Sequence, residues 1–349
     1  MEKINGKKCF LVSYNGLSNS GGVEKVCFYL NKIMTDKGYD VIVVDKNLIE
    51  KTKYAKIFMG IFGKLHVIAF TFFASLFIRN NRNKGDVKIA HGFNAPFFKN
   101  DYLFIHGTLK GYCLKTKTRI SWSHRILFQL ERIAVKNADK ILAVSQNAID
   151  EVKQYYTKAE RQFFVVHNGV DDTTFLPLNE KKGNTYINVL YCGRLDEGKG
   201  LQKLLELARL VEKTENFKFS IACNNSNNAD LFDGLQKTLI CVGLNHENIN
   251  TFYNSGDIFF FPSHYEGFEM VTLEALSAGI PVLGNNVGAV GELKNNNDPG
   301  VDIIDFENIL QQIKTMIETY KDRSTFLHDY YKNSYGLDCY INKLNKIIV

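Results

Sequence analysis

The chain has 349 residues, 45% of them hydrophobic, which is enough for two or three domains with cores of ordinary size. The seven cysteines lack Cys-x-x-Cys spacing, so disulfides and zinc sites are disfavoured, and no signal-peptide pattern follows the charged start. We therefore expect a cytoplasmic location. The net charge of +6 is uneven: residues 1–170 carry 27 Lys and Arg against 13 Asp and Glu (+14), and residues 171–349 carry 16 against 24 (−8). The basic half implies a polyanionic surface partner, either nucleic acid or an anionic membrane.

The first elements in chain order predict a β-loop-α-β unit. A strand is expected over 9–14, a Gly/Ser/Asn loop over 15–22, an amphipathic helix over 23–37 and a second strand over 41–45. This order indicates a parallel sheet with right-handed crossovers. Gly21 and Gly22 lie at the junction of loop and helix, where the missing β-carbons allow a ligand to approach the backbone closely.

Residues 57–78 are apolar and aromatic, interrupted only by Lys64 and His66, and are long enough to raise the question of a membrane span. Gly60 and Gly63 weaken that interpretation, and one helix over 64–79 is predicted instead. Its expected core face repeats at helical spacing and comprises Phe62, Leu65, Ile68, Ala69, Phe72, Phe73 and Leu76. The aromatic excess and the flanking basic residues also suit a membrane interface, so insertion and core packing both remain open.

Further strands are predicted over 87–91, 102–106, 140–145 and 163–167. His91 and His106 each end a strand and precede a glycine, a position that faces the ligand crevice of a parallel sheet. Residues 110–140 add eight Lys and Arg, together with Tyr112 and the only tryptophan, Trp122. Basic residues interspersed with interfacial aromatics suit an anionic leaflet. No nucleic-acid-binding motif is found, so nucleic acid is not expected as a partner.

A polar linker over 172–182 precedes a second alternation of strands and helices. Strands are expected over 187–192, 218–223, 239–242 and 257–261, and helices over 200–214, 249–255, 305–321 and 329–348. The first loop of this half runs Gly193-Arg194-Leu195-Asp196-Glu197-Gly198-Lys199-Gly200. Arg194 and Lys199, five residues apart at a helix N-terminus, can both face a diphosphate.

The most informative segment is 262–282. It follows the buried strand 257–261 and predicts a tight loop, a helix over 270–278 and another strand. Glu266 and Glu274 lie in the loop and the helix, and the amides of Gly267, Phe268, Glu269, Met270 and Val271 lie near the helix N-terminus, which favours an anion. A carboxylate beside an anion site suits a ligand that carries phosphate at one end and hydroxyls at the other, such as a nucleotide sugar.

This segment resembles the Glu-x7-Glu signature of family 4 glycosyltransferases, and the segments at 21–24, 138–145, 168–171 and 193–200 are similar to that family in the same order. The resemblance implies the GT-B fold: an α/β protein with two Rossmann-like, doubly wound parallel-sheet domains that face a central cleft. It also implies domain limits of 1–172 plus 328–349 on the acceptor side and 173–327 on the nucleotide-sugar side.

The resemblance further implies a retaining, front-face transfer of a sugar to a lipid-linked, lipopolysaccharide or capsule glycan acceptor. Arg194 and Lys199 would hold the diphosphate, Glu274 the ribose, and Glu266 with the amides after it the sugar. His106 would contact the same sugar, and Gly21 and Gly22 would lie near the donor phosphate. We expect His106 and Glu266 to be the catalytic pair and the remaining residues to bind the donor.

No cofactor is expected beyond the nucleotide-sugar co-substrate, with a UDP-sugar favoured over a GDP-sugar. No Asp-x-Asp motif occurs, so no metal is expected. Glu269 stands where relatives often have glycine, and a second carboxylate near the sugar should disfavour acidic donors. We expect the protein to be peripheral at the inner face of the cell membrane, bound through its basic half. Two alternatives remain open: a nucleotide-sugar epimerase or sugar phosphorylase of the same architecture, and a non-catalytic protein that binds nucleotide sugars.

Overall fold

The computed structural model describes residues 6–17, 21–157, 161–178, 185–244 and 248–348. Residues 18–20 of the predicted loop, 179–182 of the predicted linker and the charged start at 1–5 lie outside the described residues. Contacts divide the chain into two compact units. Unit 1 comprises Met1–Asn168 with Ile341–Val349, and unit 2 comprises Gly169–Tyr340.

Unit 1 contains a six-stranded parallel sheet in the order β2-β1-β3-β4-β5-β6. Its strands are β1 (Lys8–Val12), β2 (Asp40–Val44), β3 (Val87–His91), β4 (Asn100–Ile105), β5 (Ala138–Ala143) and β6 (Gln162–Val165). Its helices are α1 (Gly22–Asp36), α2 (Lys46–Glu50), α3 (Ala55–Met59), α4 (Lys64–Asn81), α5 (Leu109–Lys115), α6 (Trp122–Lys136) and α7 (Gln146–Tyr155). The predicted parallel sheet is confirmed, because continuous apolar runs identify strands that are buried on both faces.

Helix α4 confirms the predicted helix, but of its predicted core face Phe73 is buried while other members are exposed. Phe70, Phe73, Ala74 and Ile78 are buried in one core cluster with Phe10, Phe58 and Leu103. The predicted face contains Phe62, Leu65 and Phe72, which are exposed. Both stripes are apolar at the same helical spacing, so periodicity alone could not decide which one meets the sheet. In the described ranges, no helix combines the length and apolar character needed to cross a membrane.

Unit 2 contains a second six-stranded parallel sheet in the order β12-β11-β10-β7-β8-β9. Its strands are β7 (Ile187–Cys192), β8 (Phe217–Cys223), β9 (Thr238–Val242), β10 (Ile258–Phe261), β11 (Val282–Gly284) and β12 (Val301–Ile303). Its helices are α8 (Leu201–Glu212), α9 (Ile249–Asn254), α10 (Met270–Ser277), α11 (Gly288–Asn295), α12 (Ile309–Thr319) and α13 (Ser324–Tyr335), and α14 (Leu337–Ile347) follows. Two parallel sheets of Rossmann type confirm the predicted fold class.

The predicted helix over 329–348 is two helices, α13 and α14, separated by Gly336. The backbone of Gly336 is extended, with φ −61° and ψ 161°, and ends α13. Asp172 accepts from the amide of Leu337 at 3.3 Å, and the amide of Val170 donates to Tyr335 O at 2.9 Å. These contacts place 169–172 and 328–340 in unit 2. The chain returns to unit 1 at Ile341, where Lys37 and Lys140 donate to backbone oxygens of the final turn.

Candidate active site

The carboxyl ends of β7 and β10 meet where the strand order of the second sheet reverses, the edge at which sheets of this type bind ligands. The loop after β7 contacts the loop after β10: the amide of His264 donates to Gly198 O at 3.0 Å. Gly200, with φ +79°, allows this close approach, because an added β-carbon would lie 2.2 Å from Pro262 O. The predicted phosphate loop and the predicted Glu-x7-Glu loop therefore lie side by side.

Lys199 and Glu266 form an ion pair where these loops meet. The Nζ atom of Lys199 lies 2.5 Å from Oε1 of Glu266, and the two side chains are 21% and 11% exposed. Ser263, which is fully buried, donates to the same oxygen at 2.6 Å. A cation and a hydroxyl thus hold the carboxylate through charge-assisted bonds. The resemblance predicts that Lys199 contacts the diphosphate and Glu266 the sugar. The structure brings these two side chains into direct contact with each other.

Arg194 lies on the same loop and is 63% exposed, with its Nε atom 3.0 Å from Asp196. The loop beneath it is ordered by Tyr191, whose hydroxyl donates to Arg194 O at 2.6 Å. Asp196 also accepts from the amide of Lys199 at 3.0 Å. The backbone of the loop is therefore fixed, while the guanidinium extends into solvent where it can meet an anion.

The helix of the Glu-x7-Glu segment, α10, begins at Met270, and the side chain of its N-cap residue, Glu269, makes no capping hydrogen bond to it. Gly267 and Phe268 are buried just before it, and Phe268 stacks on Tyr335 with ring centroids 6.0 Å apart. Met270 and Val271 are half-buried. The first-turn amides of a helix lack partners within the helix and carry its positive dipole end, so this terminus can bind an anion.

Glu269 makes a different contact from the one its sequence position suggested. Its carboxylate accepts from the amides of Ala289 and Val290, at 2.7 and 3.3 Å, and from the Thr272 hydroxyl at 2.7 Å. It thereby caps the N-terminus of α11 from another segment of the chain. Burial, followed by the neighbouring charge of Glu266, raises the pKa of Glu269 to about 7.

Glu274 is buried within α10 and accepts from the hydroxyl of Tyr253 at 3.0 Å. Burial raises the pKa of Tyr253 well above its usual range, and the Glu274 carboxylate adds to that effect. Tyr253 therefore stays protonated and acts as a donor to Glu274. Sequence reasoning did not single out Tyr253, because it lies on α9, 21 residues away.

The corresponding edge of unit 1 lies at β1 and β3, where its strand order reverses. The first helix, α1, follows β1 and begins at Gly22. Gly21 precedes it with φ +99°, and an added β-carbon there would lie 2.4 Å from Oε2 of Glu24. The Glu24 carboxylate accepts from Asn15 at 2.9 Å. The glycine pair thus forms the start of a helix at the ligand edge, as predicted from the sequence.

His91 and His106 form a hydrogen-bonded pair at this edge. Nδ1 of His91 lies 2.9 Å from Nε2 of His106, and Nε2 of His91 lies 3.2 Å from the sulfur of Cys27 on α1. Burial lowers the pKa of His106 to about 4, and burial together with His106 lowers the pKa of His91 well below its usual range. Both rings are therefore neutral near pH 7 and act as hydrogen-bonding groups. Nothing in the local sequence pattern indicated Cys27.

Among the described residues, no three His, Cys, Asp or Glu side chains lie close enough together to form a metal site. The absence of a required metal remains a prediction that rests on the sequence. Among the described residues, Arg194 and Lys199 supply positive charge at the edge of the second sheet.

Comparison with known families gives two matches that follow one another along the chain. Residues 20–174 match the family described as Glycosyltransferase Family 4, and residues 173–336 match the family described as Glycosyl transferases group 1. Both families are glycosyltransferases, and the two matches together span residues 20–336. The matched regions include the residues described at the edge of each sheet.

The chain is also similar to individual relatives, and it shares its fold with a solved structure. The chain is 29% identical over 185 residues to the glycogen synthase of Mycobacterium tuberculosis, covering 51% of this chain and 44% of the relative. It is 27% identical over 241 residues to the capsular polysaccharide biosynthesis glycosyltransferase CapM of Staphylococcus aureus, covering 64% and 63%. These matches therefore span about half to two thirds of the relatives. The sucrose-phosphate synthase of Thermosynechococcus elongatus shares the fold, with TM-score 0.76, 14% identity and 98% of each chain covered.

Proposed function

We propose that this chain is a retaining glycosyltransferase that moves a sugar from a nucleotide-sugar donor to a lipid-linked, lipopolysaccharide or capsule glycan acceptor. The observation that carries the proposal is the contact of Lys199, Glu266 and Ser263 beside Arg194 and the uncapped start of α10. This arrangement combines cations and amides that suit a diphosphate with a carboxylate that can accept from sugar hydroxyls.

The ion pair gives the site a way to respond to its donor. Before the donor binds, Glu266 neutralises Lys199 at 2.5 Å. A diphosphate held by Arg194 and the amides of α10 competes for the Lys199 ammonium. The Glu266 carboxylate then keeps the Ser263 hydroxyl and gains sugar hydroxyls as new donors. The site therefore exchanges one internal ion pair for two contacts with the donor.

The proposed transfer combines this arrangement with the mechanism that the resemblance implies. The acceptor hydroxyl attacks the anomeric carbon on the face that the diphosphate leaves, and its proton passes to the departing phosphate oxygen. The bond from the anomeric carbon to the diphosphate breaks as the new glycosidic bond forms, so the anomeric configuration is retained. Negative charge grows on the leaving diphosphate, and Arg194 and Lys199 stabilise it. Glu274 would bind the ribose, and the neutral His106 would contact the sugar.

The proposed donor is a UDP-sugar rather than a GDP-sugar, with no further cofactor. Glu269 would disfavour acidic sugars through electrostatic repulsion alone, because its oxygens already accept hydrogen bonds from α11 and Thr272. No metal is needed in this proposal, because Arg194 and Lys199 carry the positive charge. Transfer should therefore persist in excess chelator; complete loss with EDTA and rescue by magnesium or manganese would contradict this.

The test is a screen of UDP- and GDP-sugars for thermal stabilisation, followed by product analysis with the donor that binds. A ligand at 100 times its Kd adds about 2.7 kcal/mol to the stability of the folded state. Release of nucleoside diphosphate that rises on addition of a glycan acceptor identifies a transferase. Binding without any turnover would identify a nucleotide-sugar-binding protein, and a change of sugar configuration on the intact nucleotide an epimerase.

We further propose that unit 1 binds an anionic membrane surface, where a lipid-linked acceptor would be found. An apolar corner, defined by Ile57, Met59, Phe62 and Leu65, is exposed at the turn between α3 and α4, and Phe62 is 81% exposed. Soluble monomers seldom expose clusters of this kind without a partner. The exposed lysines Lys51, Lys53, Lys56 and Lys64 flank it.

A second exposed segment begins helix α6 of unit 1. Trp122 is 61% exposed, and Lys117, Arg119 and Arg125, which are near it in sequence, are exposed as well. Helix α6 packs against α4, the helix that follows the apolar corner. Interfacial aromatic and aliphatic side chains surrounded by cations suit an anionic leaflet better than a neutral surface. This proposal would place the chain at the inner face of the cell membrane.

A further inference from the structure

The hydrogen-bonded chain Cys27–His91–His106 extends the role proposed for His106. Cys27 and His91 are closed to solvent, and His106 is only partly so. His91 stacks on Phe104, with ring centroids 5.2 Å apart, and on His106 at 5.1 Å. Among the described residues, none forms a hydrogen bond with Nδ1 of His106, and this atom is not fully buried. The chain thus runs from a closed interior to a ring that is partly open to solvent.

Neutral imidazole carries one proton, so each ring in this chain donates through one nitrogen and accepts through the other. Two arrangements satisfy both contacts. In one, the thiol donates to His91, His91 Nδ1–H donates to His106 Nε2, and His106 carries its proton on Nδ1. In the other, every bond runs the opposite way, and Nδ1 of His106 is an acceptor. The distances of 3.2 and 2.9 Å fit either arrangement.

The surroundings of Cys27 favour the first arrangement. Burial raises the pKa of the Cys27 thiol to about 12, so the sulfur keeps its proton. Nε2 of His91 is the acceptor that the described residues offer to the thiol proton. In the reversed arrangement the sulfur would accept from His91, and its own proton would be buried without an acceptor among the described residues, which is unfavourable.

We infer that Cys27 and His91 are positioning residues that fix His106 with its proton on Nδ1, so that His106 donates a hydrogen bond to an oxygen of the bound sugar. This inference rests on the proposed function, in which His106 contacts the donor sugar. Neither residue touches substrate in this scheme. They set the orientation of the His106 ring and determine which of its nitrogens carries the proton. A hydrogen bond to one nitrogen of a histidine ring commonly has this effect on the other.

The direct test is nitrogen NMR of histidine-labelled protein without substrate, which distinguishes protonated from unprotonated ring nitrogens. We expect His106 and His91 each to carry the proton on Nδ1. A His106 protonated on Nε2 in the unaltered protein overturns the inference. This readout needs no activity, so it stands apart from the proposed function: failure of every donor to react would remove the function and leave the tautomer result intact.

Matched variants then test the effect on turnover. His91→Asn places an amide N–H near the position of Nδ1 and should keep the His106 tautomer and turnover within about threefold. His91→Phe keeps the ring stacking and removes both hydrogen bonds, so we expect mixed tautomers and turnover lowered about tenfold, the size of one net hydrogen bond. Cys27→Ser and Cys27→Ala form a second pair of the same kind. Equal spectra and equal turnover for His91→Asn and His91→Phe would show that His91 only fills space.

Discussion

At the level of single residues, the proposed site depends on the ion pair of Lys199 and Glu266. The pair is mostly buried, so removing Lys199 leaves Glu266 with a single hydroxyl donor, Ser263. Arg194 differs, because it is exposed and its partner Asp196 is half-exposed. An exposed pair contributes little to stability, about 0–1 kcal/mol. The two cations should therefore serve the same chemistry while differing in their effect on the fold.

Arg194→Ala and Lys199→Ala should each lower turnover by roughly 10²–10³, as loss of a charge partner in the transition state does. The melting temperature should be unchanged for Arg194→Ala and lowered for Lys199→Ala, because only the second change leaves a buried carboxylate without its cation. Kinetics on the identified donor and thermal melts measure both. Lys203→Ala, which removes an exposed pair on α8 with Glu206, is the matched control. Near-normal turnover of both site variants would exclude them from the site.

A second residue-level consequence concerns pH. Glu131 of α6 is buried and accepts from Tyr156 at 2.5 Å and from the amide of Leu109 at 3.1 Å. Burial raises its pKa from 4.5 to about 7, partly offset by these bonds. Because the folded pKa lies above the unfolded one, the stability linked to this group is fully present below about pH 4.5 and is lost as the pH rises through about 7.

Glu131→Gln should therefore raise the melting temperature relative to the unaltered protein at pH 8.5 and have little effect at pH 5. Each unit of pKa difference corresponds to about 1.4 kcal/mol. Melting curves across this range measure the effect, and Glu318→Gln, on the exposed face of α12, should leave the pH dependence as it is. A Glu131→Gln variant that is destabilised equally at both pH values would show that the carboxyl is charged throughout.

At the level of elements, the apolar corner between α3 and α4 makes a testable surface. Phe62→Ser with Leu65→Ser should lower binding to vesicles that contain acidic lipid by at least roughly tenfold, since each large apolar side chain that leaves water contributes about 1.5–3 kcal/mol. Both side chains are exposed, so the melting temperature should not change. Phe326→Ser, which replaces an exposed aromatic of α13 in unit 2, is the control. Unchanged vesicle binding would show that the corner stays in water.

The elements also show how far the sequence determines the structure. Strands β1 to β11 were predicted within a few residues, because buried parallel strands are continuous apolar runs, whereas the short strand β12 was not predicted. The choice of buried face on α4 and the break at Gly336 were not predicted, because each is set by a segment distant in the chain. The same holds at the site: Lys199 contacts Glu266 across 67 positions and Cys27 contacts His91 across 64. Local patterns named most of the proposed residues but could not show which of them touch.

At the level of the whole molecule, the uneven charge is the property to test. If the basic half faces an anionic leaflet, vesicle binding should need acidic lipid and weaken with salt, because each cation near the surface contributes about 1 kcal/mol within a Debye length of about 8 Å. Reversing Lys117, Arg119 and Arg125 to Glu should release the protein and leave donor hydrolysis intact. Lys115 is kept, because it pairs with the buried Glu151 at 3.2 Å.

The matched control reverses Arg209, Lys213 and Lys321, which are exposed in unit 2. It changes the net charge by the same amount and should leave vesicle binding unaltered. Equal release by both triple variants would mean that total charge, rather than the basic face, governs attachment. Salt-resistant binding to neutral vesicles would instead assign attachment to the apolar corner alone.

The Glu269 carboxylate, which accepts from the first amides of α11, acts as a counter-ion that is covalently part of the protein. Because it is tethered, its local concentration at that helix end far exceeds that of any dissolved phosphate or sulfate, so added salt should not occupy the position. Replacing Glu269 by Gly would leave the amides of Ala289 and Val290 open, next to Glu266. The N-terminus of α11, which the Glu269 carboxylate occupies in the unaltered protein, could then bind a dissolved anion. A phosphate titration followed by NMR should detect binding at this helix end in the variant alone.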